Sequence, residues 1–412
     1  MCVLLATHCN WAWGQGATNT PYFQIVDRFG NNLQFSDIEL PANRPRGQCN
    51  LVFDNIAFEV DYQDLGTDLG FDDPAFGEAR RNVMCQVLTD VSHFIKSTHS
   101  YCDGTIPIVR IEVKQSLDVP VTGAFEDNTF AIASPYYYNY NSPSTPITGY
   151  AHSNVWRSIN GGIDHTQFTP FGPSTPGYDG YMQFNFNSQI NWNNNLNSTN
   201  GNNYNETDLT SPPGTLGLDL YQMILREVMH LLGVHTWIDQ NGSSIITNNA
   251  PANAGLYTRY DKYLFQNSNT EHLLQYFGGL GDDDCYNVHF NGNASALTIA
   301  CNSISFKGIE DPIVSLPVYT RAGAWLPNND YLMHIGNRID NCDNTPYLLS
   351  RRMLNEDANN NGASPPIRRP HATEVQLLHE IGYKTLTEYT YQYETTNASP
   401  FSYPTEVGEG FI

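Results

Sequence analysis

Apolar positions along the chain follow two periods. Between Phe76 and Lys96 they recur every three or four residues, through Val83, Val87, Leu88, Val91 and Ile95, which places one buried stripe on a helix. The same period predicts a helix from about Leu216 to Leu232, stopped by Gly233 in a left-handed cap. A shorter helix is predicted over Glu374–Ile381, with Thr373 as N-cap and Gly382 as its end. Elsewhere the period is two. Leu51–Tyr62, Ile106–Val113 and Thr129–Ser134 read as strands, and Tyr181–Trp192 sets Met182, Phe184 and Phe186 against polar neighbours. A short strand-like run, Tyr22–Val26, precedes a connector from Pro41 to Pro45. Residues 193–214 are Asn-, Thr- and Pro-rich and read as a surface excursion. Residues 240–260 read as loop, 261–280 as short helical or irregular pieces, and the stretch to about 340 as β- and turn-rich.

This order of elements predicts an α+β fold: a twisted mixed β-sheet with two long helices, then an irregular, loop-rich region. The expected divisions are an N-terminal extension at 18–49, a first unit at 50–236 and a second at 237–385, which the family resemblance given below implies are an upper and a lower subdomain, and a polar tail at 386–412. Residues 1–17 carry a short apolar run and a small-residue end, as a weak signal peptide would, but lack a basic start; cleavage there stays open.

Composition narrows the function classes. Hydrophobic residues make up 40% and aromatics 12%, enough for a real core, whereas charged residues are only 15%. Twenty Lys and Arg against 42 Asp and Glu give a net charge of −22. Such a surface repels phosphate backbones and anionic membranes, so no nucleic acid is expected as partner, and it suits divalent cations such as calcium. No apolar stretch reaches 18 residues, so no membrane span is expected. The eight cysteines form no CxxC pair. Cys85 with Cys102 and Cys285 with Cys301 would close short loops; the connectivity itself stays open, and the pattern suits an oxidising, extracellular setting.

One segment carries a chemical pattern, Leu225-Arg226-Glu227-Val228-Met229-His230-Leu231-Leu232-Gly233-Val234-His235. A catalytic zinc helix places two His one turn apart to reach one metal, with a Glu between them to deprotonate the bound water. Here Glu227, His230 and Gly233 are in register, and Arg226 stands where the first His belongs.

The segment resembles the metzincin zinc metallopeptidases, most of all the leishmanolysin-like group secreted by bacteria, whose helix reads HExxHxxG. Tyr331-Leu332-Met333-His334 is similar to the Met-turn of that family, with Met333 beneath the metal, and His371–Tyr383 to its closing helix. Asp179–Phe186 resembles the edge strand above the cleft, and Gly70–Arg81 the start of the first helix. The likeness covers scattered pieces of residues 50–385. It implies a metzincin-like fold with a Met-turn and closing helix in the lower subdomain, Glu227 as general base, and zinc at His230.

The departures from the family pattern count against activity. Arg226 stays protonated and has no lone pair for a metal. The residue three beyond Gly233 is Thr236, with His235 one position early, and Val318–Trp325 holds no His. Zinc is therefore not expected, although a rearranged set using His230, His235 and His334 or Asp261 is an alternative. Arg226 can serve instead as a built-in cation beside Glu227 or a neighbouring carboxylate. Asp357-Ala358-Asn359-Asn360-Asn361-Gly362 matches the first half of a calcium loop, with Asp357, Asn359 and Asn361 as candidate ligands, but Arg368 stands at the twelfth position. His93, His152, His165, His272 and His289 read as surface or satisfied core residues, and Tyr136-Tyr137-Tyr138 as a packed loop or a contact surface.

The leading expectation is a pseudoenzyme without cofactor: an extracellular structural or interaction domain of a surface assembly, adhesin or fibre, whose partners are copies of itself or other subunits. The alternatives are an active secreted metallopeptidase with rearranged ligands and Glu227 as base, and a module that binds a peptide or glycan in the former cleft.

Overall fold

The structure, a computed structural model, describes residues 22–40, 51–53, 56–97, 106–120, 129–141, 148–161, 168–169, 172–173, 177–194, 196, 216–247, 254–268, 271–276, 288–292, 294, 297, 303–308, 315–318, 348–349, 368 and 370–385. Met333, His334, Asp357, Asn359 and Asn361 lie outside them, as does every cysteine except Cys85.

The elements that build the site are β1 (Tyr22–Val26), β2 (Asn32–Leu33), β3 (Leu51–Phe53), β4 (Ile56–Tyr62), α1 (Gly77–Phe94), β5 (Ile108–Val113), β6 (Ala131–Pro135), β7 (Tyr137–Asn141) and β8 (Gly149–Ala151). They continue with β9 (Gly180–Phe184), β10 (Ile190–Asn193), β11 (Leu216–Asp219), α2 (Leu220–Leu231), β12 (Leu256–Thr258), β13 (Leu264–Gln266), β14 (Glu271–His272), β15 (Ile304–Lys307), β16 (Ser315–Pro317) and α3 (Ala372–Glu380). The fold is mixed α+β.

A five-stranded sheet runs β3-β4-β5-β9-β6. β4 pairs parallel with β5 and β5 parallel with β9, whereas β3 and β6 join antiparallel at the two ends. β4 and β9 are buried on both faces, which explains their near-continuous apolar runs. The polar residues inside the sheet are paired. Arg110 Nε lies 3.2 Å from Glu59 Oε2, and the Arg110 amide donates to Asp179 Oδ2 at 2.8 Å. Helices α1 and α2 pack against each other, and α2 lies on β6.

A second sheet, β2-β1-β7, adds the N-terminal hairpin to the chain just beyond β6, with Tyr22 to Val26 opposite Asn141 to Tyr137. A third runs β14-β13-β15-β16. Its residues Leu264, Ile304, Phe306 and Leu316 join the same buried cluster as Ile56 of β4 and Tyr383 beyond α3. The five-stranded and four-stranded sheets therefore share one core.

Several predicted elements change shape. Leu51–Tyr62 is two antiparallel strands and not one, with Phe53 opposite Ile56. Tyr181–Trp192 is two strands. Asn185 Oδ1 accepts from the Asn187 amide and Asn187 Oδ1 from the Gln189 amide, and these local bonds divert the backbone from the ladder. Leu216–Asp219 is a strand paired parallel with β10, so helix α2 begins only after Asp219. Residues 240–260 include β12, which pairs parallel with β8. Thr373 does not cap α3. His371 does, closing a capping box with Glu374.

The segment Asp179–Phe186, likened above to an edge strand, supplies β9, which is interior; the edge is β6. Tyr136, Tyr137 and Tyr138 are buried, the last two in β7, and so form neither a loop nor a contact surface.

Candidate functional site at the C-terminal end of helix α2

Asp219 starts α2 by accepting a hydrogen bond from the Gln222 amide at 2.8 Å, which satisfies one of the open N–H groups of the first turn. Every residue of the helix is buried, including Arg226, Glu227 and His230. The helix ends where Gly233 takes φ +102°, the left-handed conformation a side chain disfavours. The chain then doubles back. The Val234 amide reaches Met229 O at 3.2 Å, and Val234 O accepts from His230 Nδ1 at 2.7 Å. A carbonyl can only accept, so Nδ1 of His230 carries the proton and Nε2 holds the lone pair.

The same reversal brings in His235, which is fully buried. Its Nε2 lies 2.7 Å from the Tyr137 hydroxyl, and its Nδ1 has no partner among the described residues. Thr258 Oγ1 donates to His235 O at 2.9 Å and fixes the backbone. The Tyr137 and Trp237 rings, 4.4 Å apart, wall the site. Beneath them Asp261 Oδ2 accepts from the amides of Trp237 and Thr258, at 3.0 and 2.9 Å.

Electrostatics here disfavour positive charge on the imidazoles. Burial, and then the nearby Arg28 guanidinium, push His235 down to about 3. Burial, Arg28 and Arg226 hold His230 well below the usual histidine range. Both rings are neutral at ordinary pH. Burial outweighs the hydrogen bonds to Asp261 and lifts its carboxyl to about 6.

No motif in the sequence marks Arg28. It sits in the turn between β1 and β2, clasped by its backbone. Its amide donates to Ser134 Oγ at 2.8 Å, and its carbonyl accepts from Trp237 Nε1 at 3.0 Å. The residue is 6% exposed, and its guanidinium lies over the Phe29 ring at 4.6 Å. Neither Nε nor Nη1 has a hydrogen-bond partner among the described residues. Because 209 residues separate Arg28 from Trp237, no local pattern announces their contact.

The predicted residues thus meet in part. Glu227, His230 and His235 lie on or just beyond one helix end, with Arg226 buried beside them. Arg226 and Glu227 are consecutive, so their side chains leave the helix roughly 100° apart. Among the described residues no group of three or more His, Cys, Asp or Glu side chains is placed to hold a metal. The described residues of the motif bring two imidazoles, His230 and His235, with the side chain of Arg226, which has no lone pair for a metal, at the first ligand position. Two other histidines have structural settings. His152 Nδ1 meets Arg259 Nη1 at 3.2 Å, and His272 Nδ1 donates to Lys262 O at 3.1 Å. Cys85 is disulfide-bonded. No helix among the described residues is long and apolar enough to cross a membrane.

Comparison with known proteins finds no matching family model, no similar curated protein and no similar solved structure.

Proposed function

We propose that the chain is a non-catalytic extracellular domain, a structural or interaction part of a surface assembly, built on a degenerate metallopeptidase fold of metzincin type. The observation that carries this reading is Arg226 at the first ligand position of the motif, buried on the same helix as Glu227 and His230. Arg28 and Arg226 also help to hold His230 below the usual histidine range. A dication brought to Nε2 of His230 would meet two fixed positive charges in a site with little water to screen them. The cystine at Cys85 and the surface charge of −22 suit a secreted protein.

Metal analysis of the purified protein tests the proposal. Expected is less than a tenth of an equivalent of zinc (about 0.1, the level of adventitious metal), with no chelator-sensitive peptide hydrolysis. Stoichiometric zinc, or hydrolysis lost on Glu227→Gln substitution, would overturn it in favour of a working peptidase with Glu227 as general base.

A further inference from the structure

Five Asn-x-Ser/Thr triplets occur in the chain, beginning at Asn197, Asn205, Asn241, Asn293 and Asn397. In a chain so rich in asparagine the pattern alone decides nothing. Asn241 is the one that falls among the described residues. Asn241-Gly242-Ser243 forms the tip of a hairpin closed by the bridge between Ile238 and Ser244. The tip is held from several sides. The Gly242 amide donates to Asp239 O and the Asp239 amide to Ser243 O, both at 2.8 Å, and the Tyr257 hydroxyl donates to Gly242 O at 3.1 Å. Gly242 takes φ +86°, and a Cβ there would run into the Phe290 ring, so the middle position of the triplet suits glycine on both counts. With Gly242 packed inward, Asn241 is left exposed. Its Oδ1 accepts from the Ser243 amide at 2.8 Å and from Ser243 Oγ at 2.6 Å. Its Nδ2 has no partner among the described residues.

We propose that Asn241 is an N-glycosylation site, taking its glycan at Nδ2 from a lipid-diphosphate-linked oligosaccharide during export. The inference rests on the extracellular reading above, because the triplet serves as an acceptor in a secreted chain. In the transfer Nδ2 bonds to C1 of the first sugar, the C1–O bond to the diphosphate breaks with its electron pair, and one amide proton passes to a base of the transferase. The bond from the Ser243 hydroxyl to Asn241 Oδ1 spans two residues, so it can form in the emerging chain before any long-range contact. Ser243 is 3% exposed in the folded protein, which requires that transfer precede closure of the hairpin. The closed fold then carries the product at an exposed tip, where a bulky polar group meets solvent.

The test is mass spectrometry of peptides from the full chain as secreted by the organism that makes it. Expected is a peptide whose Asn241 bears hexose or N-acetylhexosamine mass. A peptide N-glycosidase acting in heavy-oxygen water should remove that mass and leave a labelled aspartate in its place. Asn-Gly also loses ammonia unaided, so the same digest without the glycosidase sets the background. Asn241→Gln and Ser243→Ala should each abolish the glycopeptide, whereas Ser243→Thr keeps the hydroxyl and should retain it. A glycopeptide that survives Ser243→Ala, or a bare Asn241 in the secreted protein, overturns the proposal. Locating the protein on the same samples separates the two failures. A chain found only inside the cell removes the extracellular reading together with this one, whereas a secreted chain with Asn241 bare removes the glycan site alone.

Discussion

The two ends of helix α2 each bury an arginine, and they treat it in opposite ways. At the N-terminal end Arg368, 7% exposed, is fully answered. Its Nη2 and Nε meet the two carboxylate oxygens of Asp219 at 2.7 and 3.2 Å, and its Nη1 donates to Leu196 O at 3.0 Å. Asn193 Nδ2 adds a bond to the same carboxylate at 3.0 Å. At the C-terminal end Arg28 is just as deeply buried, at 6%, yet two of its guanidinium nitrogens have no partner among the described residues. A chain that satisfies one buried arginine so completely has the means to satisfy the other. The contrast separates an arginine neutralised at the helix cap from one that lies at the end carrying the zinc-like motif.

The largest effect is expected at the satisfied end. Asp219→Ala removes the helix cap and strands the Arg368 charge, and should cost about 3–5 kcal/mol in urea unfolding. A cost below about 1 kcal/mol would erase the contrast between the two ends.

The next effect lies at the other end and depends on pH. Asp261 keeps its proton in the folded protein up to about 6, whereas the unfolded chain loses it near 3.8. Between those values the folded state binds more protons, so stability falls as pH rises through the window, by about 3 kcal/mol in all. Asp261→Asn is close to isosteric and should flatten that fall. Parallel wild-type and variant curves between about pH 4 and pH 7 would refute the assignment. The smallest effect is at the helix stop. An added Cβ at Gly233 would meet nothing within 4 Å, so Gly233→Ala should cost only the left-handed backbone penalty, roughly 1–2 kcal/mol by thermal melting.

Legibility from sequence followed the range of the interactions. Helix α1 and the stop at Gly233 were readable, because a stripe of apolar residues and a left-handed glycine are local consequences of local residues. The placement of Glu227 and His230 on a buried helix came with them. The start of α2 was misread because Leu216-Gly217-Leu218 continues the apolar run, and so short a run suits strand and helix equally. The cap of α3 was missed because an imidazole takes the place usually filled by a hydroxyl or carboxylate. Asp261 was noticed as a candidate metal ligand, and its tie to two backbone amides became visible only in the fold. Arg28 was out of reach altogether. Asp27-Arg28-Phe29-Gly30 reads as an ordinary hairpin turn, and its meaning lies in partners at Ser134, His235 and Trp237.

That separation also orders events during synthesis. β1 leaves the ribosome early, but its partner β7 follows more than a hundred residues later and Trp237 later still. At cellular elongation rates the hairpin waits on the order of 10–40 s for the indole that donates to the Arg28 carbonyl. During that interval the edge of Tyr22–Val26 that β7 later covers stays open and can join any exposed sheet edge, including that of a neighbouring nascent chain. A holdase that shields the first forty residues should therefore raise the yield of folded protein more than one acting on the middle of the chain.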